Sequence, residues 1–251
     1  YRRDPNEPGS HSLYMAFPTP PHEKRMGVMF PIEGDRWSLS VGGWAGDHAP
    51  LDEQGFLEFA RSLPASDIYN IIKRAEPLSD IVPYKYPANL RRRYEKMARF
   101  PEGYIVLGDA LCSFNPVYGQ GMTTAALDAV TLDECLKQQV KRGTLVGLPR
   151  RFFKQAAKVI DIPWTLAAGE DFRYPETQGP KAPGTDFINR YVARVHLAAQ
   201  VDPMVYYSFL QVMNLIAPPT TLFNPKIVLR VLQDSRWLEQ HQPALRMGEA
   251  Y

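Results

Sequence analysis

The sequence is poor in the residues that build metal sites and disulfide scaffolds. Cysteine occurs only twice, at Cys112 and Cys135, in no CxxC or Cys/His zinc spacing. A reducing, cytoplasmic setting is the corresponding expectation. The five histidines are scattered, and none forms an HExxH pair or a carboxylate facial triad, so no metal is expected. No stretch approaches the roughly 18 consecutive apolar residues of a membrane-spanning helix. Net charge is +2, which argues for neither nucleic acid nor an anionic membrane as partner. There is no internal repeat and no low-complexity segment. The N-terminus, Tyr1-Arg2-Arg3-Asp4-Pro5, has no initiator methionine and no apolar signal segment. The expectation is that the protein continues upstream of Tyr1.

What is present is ordinary for a folded chain: 45% hydrophobic and 22% charged residues over 251 positions. Three β-prone runs open it, Ser12–Phe17, Gly27–Pro31 and Trp37–Gly43. A short connection containing Gly34 joins the second to the third, as in a hairpin. Trp37-Ser38-Leu39-Ser40-Val41 alternates apolar and polar, which predicts an antiparallel sheet with one wet face. Helices are expected from Asp52, where Phe56, Leu57, Phe59, Ala60 and Leu63 share one side, and from Ser66 or Asp67 as cap. Ile81–Pro87 reads as a strand, and Arg91–Arg99 as a basic loop or short helix.

The middle of the chain is more specific. Tyr104-Ile105-Val106-Leu107 reads as a short buried strand, Gly108–Gly119 as loop, and Gln120–Arg142 as a helix. Its expected apolar stripe is Met122, Ala125, Ala126, Ala129, Leu132, Leu136 and Val140. Further helices are expected near Pro149–Ala168, Thr185–Ala199, Asp202–Ile216 and Asn224–Glu239. The fold class is therefore α+β. The expected regions are 1–95 (sheet with two helices), 96–145 (strand–loop–helix) and 146–251 (helical).

The strand–loop–helix carries chemistry. Asp109 follows the strand directly, and a carboxylate there accepts hydrogen bonds from ligand hydroxyls. Gly119 and Gly121 let the backbone approach a ligand closely. The helix start offers free N–H groups and partial positive charge, which suit an anion or an electron-rich carbonyl. Gly108-Asp109-Ala110, Pro116 and Gly119-Gln120-Gly121-Met122 together resemble the second FAD-contact motif of the aromatic-hydroxylase and squalene-epoxidase-like flavoprotein monooxygenases. The resemblance covers roughly residues 10–142. It implies that Asp109 bonds the ribityl chain and that Gly119–Met122 faces the flavin pyrimidine edge, with Gly108 and Pro116 completing the contact. It implies an apolar substrate site walled by Met29, Pro31, Trp37, Trp44 and Tyr118. NAD(P)H is the electron donor it suggests.

One part of the family pattern is not here. The Gly-x-Gly-x-x-Gly that holds the FAD pyrophosphate has no counterpart: the single Gly-x-Gly is Gly119–Gly121, with Thr124 in the last place. An N-terminal nucleotide-binding half, on this or another polypeptide, is therefore an expected partner. The chain thus reads as the FAD-binding portion of a flavin-dependent hydroxylase, epoxidase or reductase. The alternatives are a non-catalytic assembly subunit of flavoprotein descent and a helical module binding a lipid or isoprenoid. Arg91-Arg92-Arg93 reads first as a solvated basic turn and second as a phosphate contact. Cys112 reads as a small buried hydrophobe. Val212–Pro219, with Leu222 and Phe223, is apolar enough for a partner or a peripheral membrane contact, and packing against the rest of a longer protein is the favoured expectation.

Overall fold

The computed structural model describes residues 1–241 and shows an α+β chain. It divides into two compact units. Of the described residues, the first comprises 1–85 with Tyr174–Gln178, and the second 86–173 and 179–241. Residues 242–251 of the expected helical region lie outside the described residues.

The first unit is built on an antiparallel sheet in the order β1 (Tyr14–Ala16), β2 (Arg25–Ile32), β3 (Arg36–Gly43). Gly34 (φ +73) and Asp35 (φ +51) are left-handed, as a tight hairpin requires. Two helices cover one sheet face: α1 (Glu53–Arg61) and α2 (Asp67–Ile72). Asp52 caps α1 by accepting from Gly55 N–H at 2.7 Å. Phe56, Phe59, Ala60, Leu63, Ile68 and Ile72 pack there against Ala16, Met29 and Trp37. The helices press so close at Gly27 that a methyl there would stand 2.6 Å from Leu63 Cδ1. The opposite sheet face carries Met15, Val28 and Phe30, of which Met15 and Phe30 are exposed. Tyr174 joins this unit by stacking on Trp44, with ring centroids 5.3 Å apart, and by donating its hydroxyl to the Glu23 carbonyl.

Ile81–Pro87 forms no strand. Pro83 and Pro87 bring no N–H to a ladder, and Val82 and Tyr84 lie in solvent.

The second unit contains a two-stranded antiparallel pair, β4 (Leu90–Arg91) and β5 (Cys112–Ser113), and the helices α3 (Gly121–Lys141), α4 (Leu148–Asp171), α5 (Thr185–Ala198), α6 (Pro203–Met213) and α7 (Pro225–His241). One core joins the 106–114 segment to α3 and α4 through Val106, Leu111, Cys112, Phe114, Cys135, Phe152 and Phe153. A second core holds α5, α6 and α7 together at Val195, Val205, Val212 and Val231. No helix among the described residues is long and apolar enough to cross a membrane.

Three expectations for this unit are corrected. Tyr104–Leu107 forms no strand and has no ladder partner among the described residues. Only Val106 is buried, and Tyr104 and Leu107 face outward. Gly108–Gly119 is not loop throughout: it contains a 3-10 turn at Gly108–Ala110, then β5, then a second 3-10 turn at Pro116–Tyr118. Helix α3 is rotated from the expected stripe, of which Ala125, Leu132 and Leu136 are half-buried at the edge of the inward side. Its buried residues are Thr124, Asp128, Thr131, Cys135 and Gln139, whereas Met122 is 89% exposed and Val130 and Val140 are also exposed. Part of the inward polar line is bonded. Thr124 and Thr131 return their hydroxyls to the Gln120 and Leu127 carbonyls, each at 2.8 Å. Gln139 donates to the Val146 carbonyl at 2.7 Å.

Candidate functional site

The segment from Gly108 to Met122 lies wholly in the second unit. Gly108 adopts a left-handed φ of +58°, and its turn closes through Leu111 N–H donating to Gly108 O at 2.8 Å. The turn rests on α3: a methyl at Gly108 would stand 3.4 Å from Ala125 Cβ. Asp109 leaves this turn exposed, and its carboxylate accepts no hydrogen bond among the described residues. A methyl at Gly121 would stand 3.7 Å from Asp109 Oδ1. The fold therefore brings the acid to the first turn of α3. No side chain caps that helix, so its leading N–H groups keep their donor capacity for a ligand or for water.

The loop between these points is held by polar contacts. Asn115 N–H donates to Asn89 Oδ1 at 2.6 Å. Asn89 Nδ2 donates to Asp171 Oδ2 at 2.6 Å, and Tyr118 donates its hydroxyl to Asp171 Oδ1 at 2.7 Å. Asn115 also caps the Pro116–Tyr118 turn, accepting from Val117 N–H at 3.2 Å. Gly119 then reverses the chain at φ +64°, with open space where a side chain would be. Gln120 points inward and donates to the Met213 carbonyl at 2.8 Å. Of the expected contact residues, Asp109, Pro116, Gly119 and Met122 are thus exposed, Gly108 and Gly121 half-buried, and Gln120 buried.

The expected substrate residues fall in both units. Met29 (0% exposed) and Trp37 (5%) lie on the helix-covered sheet face and are spent on the core. Pro31 and Trp44 are half-buried in the same unit, and Tyr118 half-buried in the other.

Arg91 is not a solvated cation. Its side chain is 3% exposed and donates to Asp161 at 2.6 Å and to the Ala157 carbonyl at 3.2 Å, with Glu95 3.8 Å away. Arg93 joins Glu95 at 3.4 Å. Arg92 donates to the Ala110 carbonyl at 3.0 Å, bracing the turn beside Asp109. Arg91 is an internal brace because α4 supplies Asp161 opposite it, while Arg92 and Arg93 stay exposed. Cys112 is buried, and burial pushes its thiol up to about 12, which removes it as a nucleophile at neutral pH. Among the described residues no cluster of His, Cys, Asp and Glu is placed to hold a metal ion.

Sequence reading overlooked Asp128, Asn89 and Asp171. Asp128 carried a local signal, a carboxylate among small residues at four-residue spacing from Thr124. Asp171 carried none, being 53 residues from Tyr118.

No family model matches the chain. It is 27% identical over 202 residues to Protein Rv3254 of Mycobacterium tuberculosis, a stretch covering 78% of this chain and 41% of that protein. The chain therefore spans about two fifths of that relative. It is also 41% identical over 49 residues to kynurenine 3-monooxygenase of Salinispora tropica, 20% of this chain and 11% of that enzyme. Over one short stretch, then, the chain is similar to a monooxygenase.

Proposed function

We propose that this chain is the flavin-contact portion of a flavin-dependent oxidoreductase, a hydroxylase, epoxidase or reductase acting on an apolar organic molecule. The observation that carries this reading is the pairing of Asp109, exposed and without a partner among the described residues, with the uncapped start of α3 at Gly121. An acceptor of hydroxyl protons stands beside a row of N–H donors. A ribityl chain next to a pyrimidine edge demands that same order of acceptor and donors. The similarity to a monooxygenase over 49 residues supports it.

The donor set fits FAD in part. Asp109 would take ribityl hydroxyls, and the backbone from Gly119 to Met122 would face the pyrimidine carbonyls. There the α3 N-terminus favours negative charge. Gly108 and Pro116 shape the approach. Bound flavin would supply the redox chemistry, with NAD(P)H as electron source. The pyrophosphate needs a Gly-rich strand-to-helix turn, which the described residues lack. A nucleotide-binding half is therefore the proposed partner.

The test is a flavin titration followed by fluorescence, with the purified chain alone and together with the proposed nucleotide-binding half. Wild type is expected to bind FAD, and Asp109→Ala to lose at least tenfold in affinity, the cost of one charge-assisted bond of roughly 1.5–3 kcal/mol. Its folding stability should stay within about 0.5 kcal/mol. Colourless protein that ignores FAD even with that half would favour the non-catalytic reading.

A further inference from the structure

Asp128 occupies a place where a carboxylate is expensive. It is 0% exposed, on the inward line of α3. A leucine there would bury apolar surface at no electrostatic cost. Its Oδ2 accepts one bond, from Gly108 N–H at 3.2 Å. Its Oδ1 has no partner among the described residues. So the single polar contact of a fully buried acid goes to the residue immediately before Asp109. Gly108 is also where the backbone turns left-handed and touches α3 through Ala125. Arg92 holds the far end of the same turn at the Ala110 carbonyl, which leaves the near end to Asp128.

We propose that Asp128 is a positioning residue: by pinning Gly108 N–H to α3 it fixes the direction in which Asp109 leaves the turn. Its functional consequence rests on the flavin reading of that turn, but the pin does not. Burial pushes the Asp128 carboxyl up to about 6. The pin is therefore charge-assisted above that pH and neutral, with roughly half the strength, below it. The titratable groups facing this spot are Cys112 from β5 and Asp109 from the turn itself. Arg91 and Arg93, which act on Cys112, are held by Glu95 and by Asp161 from α4.

The experiment follows the Gly108 amide in proton–nitrogen NMR spectra of the 251-residue chain across the pH range. In wild type this resonance is expected to move with a midpoint near pH 6, upfield as the acid protonates. Asp128→Asn keeps an oxygen acceptor without charge, so the resonance should stop titrating while its exchange remains slow. Asp128→Leu removes the acceptor, and Gly108 exchange should rise by about tenfold or more while stability at neutral pH is kept or increased. In the FAD titration, wild-type affinity should fall severalfold on going from neutral to acid pH, the Asn variant should lose that dependence, and the Leu variant should bind weakly at both. A merely structural acid would move stability and affinity together. A Gly108 amide indifferent both to pH and to Asp128→Leu would overturn the proposal. A titrating Gly108 in a chain that binds no FAD even with the proposed nucleotide-binding half added would uphold the pin and sink the flavin reading instead.

Discussion

The buried acid of α3 makes a measurable demand on the stability of the whole chain. In the unfolded state Asp128 titrates near 3.8, whereas burial raises the folded value to about 6. Between these values the folded protein holds more protons than the unfolded one. Stability from this site is therefore fully present below about pH 3.8 and is lost as pH rises through about 6. A difference of roughly two units corresponds to about 3 kcal/mol. Asp128 is fully buried, so solvent screening does not dilute the figure. Asp128→Asn removes the ionisation and with it this slope. The new amide nitrogen inherits the place of an oxygen without a partner, at a cost of about 1–3 kcal/mol that does not vary with pH. The decisive quantity is therefore the change in the wild-type minus variant difference, not its absolute value. Urea unfolding of both proteins below about pH 3.8 and at neutral pH should show that difference moving by about 3 kcal/mol against wild type. A difference that stays constant within about 0.5 kcal/mol would show that Asp128 is not buried as a titrating acid, and would remove the basis for its pH-dependent hold on Gly108.

Three further outcomes follow from the same contacts. Arg91→Met should cost about 1.5–3 kcal/mol in urea unfolding, through its bonds to Asp161 and the Ala157 carbonyl, whereas Arg93→Met, at 42% exposure, should cost under about 1 kcal/mol; equal costs would refute the brace. Tyr118→Phe loses the 2.7 Å bond to Asp171 and should cost about 1.5–3 kcal/mol, with no effect expected if that loop is held by backbone alone. Gly119→Ala meets open space but a φ of +64°, so it should cost about 1–2 kcal/mol through backbone strain only, and a thermal melt unchanged by the substitution would contradict the left-handed turn.

The comparison of sequence with structure turns on what kind of signal each element carries. The hairpin of β2 and β3, the capped start of α1 at Asp52 and the starts of α3 to α7 were legible because each depends on residues a few positions apart: a glycine turn, a side-chain cap, a periodic run. The nearness of Asp109 to Gly121 was legible for the same reason, since both lie within one short passage into α3. Side choice was not. Helix α3 is rich in alanine and threonine, so its apolar and polar lines differ little, and the inward side was settled by where Gly108 and α4 lie. Strand β2 is apolar on both faces, with Met26, Val28 and Phe30 against Gly27, Met29 and Pro31. The packing of α1 and α2 then decided that Met29 belongs to the core.

By itself, then, the sequence determined the α+β class, the helix starts and the local geometry that sets an acid beside a helix N-terminus. These follow from dihedral preferences and hydrogen bonds that close within one turn. Only the tertiary structure decided that Arg91 is an internal brace, that Tyr118 is tied to Asp171, and that Asp128 lies buried beneath the Gly108 turn. Each of those depends on a partner 20 or more residues away in the chain, at 70, 53 and 20 residues respectively. The free energy of a buried polar group is set by that distant partner, which no local pattern encodes.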